Sequence, residues 1–475
     1  MPAPAMTLIS WRLAALLTLG TALLAISPIA SIIALIACAL AALVGPSYAL
    51  QALTIATLIA YGNPAIFKSG PTSAILVRLV LLAAVVRALC MLRGSDLRLL
   101  WPIGLFGVLS ALTSLLRSPA VTISIMKVIT FTLASSAVLI AFLRLPAARL
   151  PRIQTWFLTV GFTVIGLSAL TLAKPGFGIG ANGGLQGILN QPQALGIFIA
   201  PFAAWSISGV LLMRRRASHL ELWVAIGAVV LIILTRARTA AVATTVAVLI
   251  VTLSRALSRR RAQQASLLRP VLVIGVATLG VGIAALATGK VGAFLTEFAF
   301  KGTQQENRNL GNAFNESRGA GVLSQWRHFE DSPVIGNGFG VYPDGKFPSG
   351  VVEFAGIPIS APIEKGFLPT AILEEGGLIG AAALALVIMW LARTAWRGSD
   401  LRWRAMFVAC LGINVGECVF LAPGGIGILD WLVMGLTLMA YRASLPQARP
   451  EAAAVQRPQQ APATALRHAP PGAAA

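Results

Sequence analysis

The sequence predicts an all-α polytopic membrane protein: 12–14 transmembrane helices with one large extracytoplasmic loop. Three observations predict it. Only 11% of the 475 residues are charged and 57% are hydrophobic, whereas a soluble domain carries roughly 25% charged residues. Apolar runs of bilayer-crossing length recur along most of the chain. Those runs lack the alternation of barrel strands, which leaves helices to satisfy the backbone in lipid.

The runs fall near Trp11–Ser27, Ile29–Val44, Tyr48–Ala60, Ala74–Met91, Leu99–Leu116, Thr122–Leu143, Thr155–Ala173, Pro192–Met213, Leu220–Leu234, Thr239–Ser254 and Pro270–Thr288. Gly366–Leu391, Arg404–Leu421 and Ile426–Tyr441 follow. The first three are short, so merging or interfacial placement would reduce fourteen to twelve. The first run has a weak charged flank and another run follows after Pro28, so it reads as a retained helix and not a signal peptide. The chain thus divides into an N-terminal bundle (1–288), a long loop (289–365), C-terminal helices (366–441) and an Ala/Pro/Gln/Arg-rich tail (442–475) expected to be disordered.

The net charge is +21, but residues 290–365 hold seven basic and eight acidic residues, a balance of −1. The remaining +22 sits mostly in short loops at every second connection: Arg93–Arg98, Arg144–Arg152, Arg214–Arg216, Arg255–Arg269 and Arg393–Arg404. That pattern is positive-inside topology, not a nucleic-acid surface. It puts both termini in the cytoplasm. Tyr61–Ser73, Arg117–Val121, Lys174–Gln191, Thr235–Arg238, the long loop and Ala422–Gly425 then lie outside. The four cysteines lie in or beside apolar runs and form no disulfide framework.

Chemistry is expected on the outer side. In the long loop, Val322, Leu323, Trp326 and Phe329 share one face of a short helix, packed on the bundle or at the membrane surface. Ser317 can cap it, and Asp331-Ser332-Pro333 ends it. Arg318 and Arg327 would be held near the bilayer, and lipid phosphates account for Arg327. His328 reads as helix surface. Gly336, Gly338 and Gly340 form G-x-G-x-G outside any strand–turn–helix unit, so they read as tight turns admitting a neighbouring backbone. Arg236 and Arg238 lie at a tight outer turn where topology calls for no positive charge. A specific anion is one explanation, because a guanidinium binds phosphate bidentately. Snorkelling is the other. Gln191 and Gln193 could bond sugar hydroxyls or cap the next helix. Glu364 and Lys365 open the helix after the loop, as a general base with a partner or as a rim ion pair. Gly376 and Gly380 are spaced for close helix contact, beside Glu374 and Glu375. Glu417 and Asp430 are carboxylates in apolar runs, and an arginine partner is expected for each.

Five pieces, LQGILNQPQALG, TRARTAA, SRGAGVLSQWRHFEDSPVIGNGFG, EKGFLPTAILEEGGLIG and GECVFLAPGGIGILDWL, span roughly Lys174 to Tyr441. In order and sidedness they resemble the O-antigen ligase/polymerase family of bacterial membrane glycosyltransferases. Glu364-Lys365 stands where many ligases have His-Asn, and this variant is similar to exopolysaccharide polymerases. The resemblance implies a GT-C-like bundle in the bacterial inner membrane, acting on a polyprenyl-diphosphate-linked glycan; the sequence shows no acidic metal cluster, so metal independence and no cofactor are expected. It implies that Arg236, Arg238 and Arg318 hold the diphosphate, with Lys365, Gln191 and Gln193 lining the substrate. Glu364 would take the acceptor proton, while Trp326, the three glycines, Glu375 and Glu417 support the site. A flippase and a chain-length regulator are the expected partners. Ligation to lipid A core, protein O-glycosylation and, in another class, transport of the polysaccharide or lipid-linked oligosaccharide are the alternatives.

Overall fold

The computed structural model describes residues 9–67, 71–174, 176–180, 183–212, 219–259, 318–344, 351–354, 357–360 and 365–445. Several sequence expectations lie outside them: Glu364, Ser317, the Pro270–Thr288 run, the Arg214–Arg216 loop and nearly all of the tail. Two units are present, Met1–Ala443 with the helical bundle, and Ser444–Ala475.

Among the described residues, ten α-helices precede the long loop: α1 (Trp11–Ile26), α2 (Pro28–Val44), α3 (Pro46–Ala60), α4 (Pro71–Met91), α5 (Gly94–Arg117), α6 (Val121–Arg144), α7 (Leu150–Leu170), α8 (Pro192–Leu212), α9 (His219–Thr235) and α10 (Arg238–Arg259). α11 (Ala320–Asp331) lies within the loop, with a small antiparallel pair, β1 (Val352–Phe354) and β2 (Ile357–Ser360). α12 (Leu368–Gly398), α13 (Leu401–Ile413) and α14 (Ile428–Ser444) follow. Among the described residues, seven helices are long and apolar enough to cross a membrane, in α4–α8, α10 and α12. Shorter apolar helices are α1, α2, α3 and α9. The protein is therefore built as an α-helical, multi-pass membrane protein.

In lipid, helices associate by close packing more than by hydrophobic transfer. The phenyl ring of Phe142 in α6 occupies the space beside Gly435 in α14, and Gly398 meets the backbone of Tyr441. α14 is enclosed, with every residue from Ile428 to Ala440 buried. A helix apolar on all sides is expected to be enclosed in this way.

Two elements depart from the sequence reading. The Arg404–Leu421 run is not one helix: α13 ends at Ile413, and turns carry the chain to α14. Asn414 accounts for the stop. Its amide donates to Cys410 O (2.8 Å) and to Asp430 Oδ2 (3.0 Å), and its Oδ1 accepts from Phe420 N (2.7 Å). Irregular backbone at this depth needs such internal partners. Asp430 is thus bonded to an asparagine and not to the arginine expected from the sequence, because the unwound backbone after α13 brings Asn414 to it.

α12 is broken as well. Gly377 has φ 59° and ψ −158°, a conformation nearly confined to glycine. The 333–338 segment fills the break. Asn337 N and Gly338 N donate to the carbonyls of Glu374 (2.9 Å) and Glu375 (3.0 Å). Leu378 N and Ile379 N donate to Pro333 O (2.8 Å) and Val334 O (3.2 Å). Four backbone groups at the break, two carbonyls and two N–H groups, therefore find partners about 40 residues away in sequence. Gly376 and Gly380 make no close interhelical contact; a Cβ at either would touch only Ile372 of the same helix.

Candidate functional site

The connections expected on the outer side meet at one end of the bundle. Asn63 N donates to Ile188 O and Asn190 N to Tyr61 O, both at 2.8 Å. Leu185 N reaches Leu234 O (2.8 Å), seating the glycine-rich loop against the arginine turn. A Cβ at Gly183 would lie 3.3 Å from the Arg236 guanidinium. Arg78 Nη1 donates to Gly424 O (2.5 Å). The long loop is anchored at the same end. Phe339 N donates to Ser114 Oγ (3.1 Å), its carbonyl accepts from Ser124 (2.6 Å), and Lys127 Nζ donates to Gly340 O (2.5 Å). The Phe339 ring contacts Phe106 and Phe131. Gly336, Gly338 and Gly340 all have positive φ, and side chains there would meet the Glu375 backbone, Ser118 and Lys127.

Inside this end lies a chain of charges. Arg318 pairs with Glu417, as expected for that carboxylate, and the adjacent Gly416 packs against Thr239, next to Arg238. Lys365 lies between two carboxylates, 2.7 Å from Glu374 and 3.1 Å from Glu375. His328 Nδ1 is 2.8 Å from the other oxygen of Glu374. Gln325 of α11 donates to Lys365 O (2.7 Å) and accepts from Thr370. A Cβ on Gly366, whose φ is +70°, would strike the Arg318 guanidinium. The Arg318 side chain is 31% exposed and Glu417 18%, whereas Lys365, Glu374 and Glu375 are at 2–4%. Arg318 can reach a ligand; the lysine triad is interior.

This geometry revises Lys365. It was expected to line the substrate or form a rim pair, yet its ammonium is enclosed by two carboxylates. Burial opposes its charge, but Glu375 and Glu374 outweigh burial and hold its pKa above the ordinary 10.5. His328 is not plain helix surface, because it extends the network to α11. On α11 the buried residue is Gln325, while Leu323 and Trp326 are exposed. Trp326 Nε1 bonds Glu330 of its own helix (2.8 Å).

Arg236 has φ 55°, the one non-glycine residue with positive φ among the described residues. Arg236 N donates to Ile233 O (3.0 Å) and Ala237 N to Thr235 Oγ1 (3.2 Å), which fixes the turn. A left-handed arginine costs of order 1 kcal/mol and, where the surroundings enforce it, points to function. Gln191 and Gln193 are half-buried at the start of α8, close to this turn through Gly196, where a Cβ would meet Ala237. Lys127 and Arg78 were missed in the sequence. Their signal was a lone cation a turn or two inside an apolar run, at the end where topology gives it no benefit.

The opposite end holds a different set of pairs: Asp96 with Arg144, and Glu221 with Arg402 (3.3 Å), whose guanidinium stacks over Trp205. Among the described residues no group of three or more His, Cys, Asp or Glu side chains could hold a metal ion. No protein-family profile matches the chain, and no curated protein matches it.

Proposed function

We propose that the chain is a membrane glycosyltransferase that polymerises polyprenyl-diphosphate-linked repeat units at the periplasmic face of the bacterial inner membrane. The observation that carries this reading is the placement of the partly exposed Arg318 beside the strained Arg236–Arg238 turn: Arg318 pairs with Glu417, and the adjacent Gly416 packs on Thr239 at the end of that turn. Glu417 offsets one of these charges, and a lipid-linked diphosphate would offset the others. The basic loops expected at the other end support an orientation with both termini in the cytoplasm.

In the reaction, an acceptor hydroxyl attacks the anomeric carbon and the bond from that carbon to the diphosphate oxygen breaks. The diphosphate leaves with the electron pair, and the arginines stabilise its charge. The acceptor proton passes to a carboxylate, for which Glu364 is the candidate. Lys365 positions the start of α12 and does not bind substrate.

Arg238→Ala and Arg318→Ala are each expected to lower long-chain product by about 100-fold, the typical loss of a preorganised charge-stabilising donor, with membrane protein levels unchanged. Unaltered chain length in both sinks the reading. The broken α12 favours a second reading, transport of a lipid-linked oligosaccharide, because broken helices line transport sites. Against it, the 333–338 segment takes up the freed backbone groups. Purified protein in detergent, with no compartments, separates the two: only a polymerase lengthens chains there.

A further inference from the structure

α11 presents two unlike faces. Inward, Gln325 is 5% exposed and holds Lys365, and His328 holds Glu374. Outward, Leu323 and Trp326 are 51% and 44% exposed, with Arg327 exposed beside them. The ring of Trp326 contacts Phe329 and its indole N–H is bonded to Glu330. A soluble protein with this face would be expected to seat a partner there. Here the depth of the face within the bundle identifies what covers it.

Leu378 and Ile379, just past the break in α12, are both exposed. Arg393 and Arg397 put the opposite boundary near Leu391, and about 20 residues back from it, roughly 30 Å or one hydrocarbon thickness, reach Ile372. Leu378 and Ile379 therefore lie within the hydrocarbon span, near its site end. The segment following α11 is bonded to that level, Pro333 O to Leu378 N and Val334 O to Ile379 N, and Val334 is itself exposed. The exposed edge of α11 leads into Val334 and from there to side chains of a membrane-crossing helix. The same phase covers them.

We infer that α11 is an interfacial helix whose Leu323–Trp326 edge, continued by Val334, is seated in the lipid leaflet at the site end of the bundle. Tryptophan favours that level, and Arg327 reaches lipid phosphate from the edge. α11 then ties the Lys365–Glu374 network to the bilayer surface. This inference does not depend on the proposed reaction.

The full chain and Trp326→Phe, each in phosphatidylcholine vesicles with or without bromine on the acyl chains, provide the test. The fluorescence difference between the two proteins isolates Trp326. More than half of it is expected to be lost in brominated lipid, and little to aqueous iodide. Quenching by iodide alone overturns the inference, and so does quenching by neither, which would mean that protein covers the ring. A spin label at Leu323→Cys, in a Cys90→Ser background because Cys90 is exposed, gives a second reading. Collision with oxygen should exceed collision with a soluble nickel chelate; the reverse order overturns the inference.

Discussion

Replacing Lys365 by methionine is expected to destabilise the protein by about 3–5 kcal/mol, the usual cost of removing one partner from a buried ionic cluster. The reason is local. The Glu374 and Glu375 carboxylates are adjacent in sequence, nearly inaccessible, and both aimed at the one ammonium. Methionine fills the volume but leaves two negative charges facing each other out of water. The double variant Lys365→Met/Glu374→Gln removes one charge of the repulsion and should recover part of the loss, because the pair is strongly coupled. Thermal unfolding in detergent, followed by circular dichroism, measures both. A single variant as stable as the parent would show that the cluster is solvated. The pH dependence has a fixed sign. A lysine whose pKa is raised by folding contributes its stability below the unfolded value near 10.5, and loses it only as pH rises through the folded value. Unfolding should therefore be insensitive to this group at neutral pH and promoted in strong alkali.

This cluster shows where the sequence was legible and where it was not. α4 to α10 follow their apolar runs to within a few residues, because length and hydropathy decide a lipid-spanning helix locally. The glycines of the G-x-G-x-G piece do admit neighbouring backbone and side chains. Arg318 with Glu417 was legible as a carboxylate in need of a cation. The partners of Lys365 were not. Glu364-Lys365 look like a solvent-facing pair in sequence, and only the turn at Gly366, with φ +70°, buries the lysine against the next helix. Glu374 and Glu375 held the available signal: two adjacent carboxylates in an apolar run cannot face lipid and must be paired inside. The stop at Asn414 and the break at Gly377 were hidden for another reason. Apolar composition continues through both, and what replaces the helical hydrogen bonds comes from Phe420 and Asp430 in one case and from residues 333–338 in the other.

Gly377→Ala tests that break most directly. Its φ of 59° with ψ −158° lies where an alanine is strained by about 1–3 kcal/mol. The added methyl would also lie 2.7 Å from Ile335 N and closer still to the Val334 carbonyl. Relief requires the 333–338 segment to withdraw, which costs the hydrogen bonds it makes to Glu374, Glu375, Leu378 and Ile379. Buried backbone groups left unpaired cost about 1–3 kcal/mol each, so at low temperature the segment should stay docked but displaced by the methyl, with its hydrogen bonds weakened. Gly380→Ala is the matched control. It adds the same methyl to the same helix, without positive φ, touching only Ile372 at 3.9 Å. It should be neutral or slightly stabilising, since alanine is the better helix former. Two measurements separate the variants: a lower melting temperature and faster amide exchange at Asn337 and Gly338 in Gly377→Ala alone. Equal behaviour of the two would mean that α12 can run unbroken. The carbonyls of Glu374 and Glu375 would then close their own helical turns, and the 333–338 segment would lose its seat beside the lysine cluster.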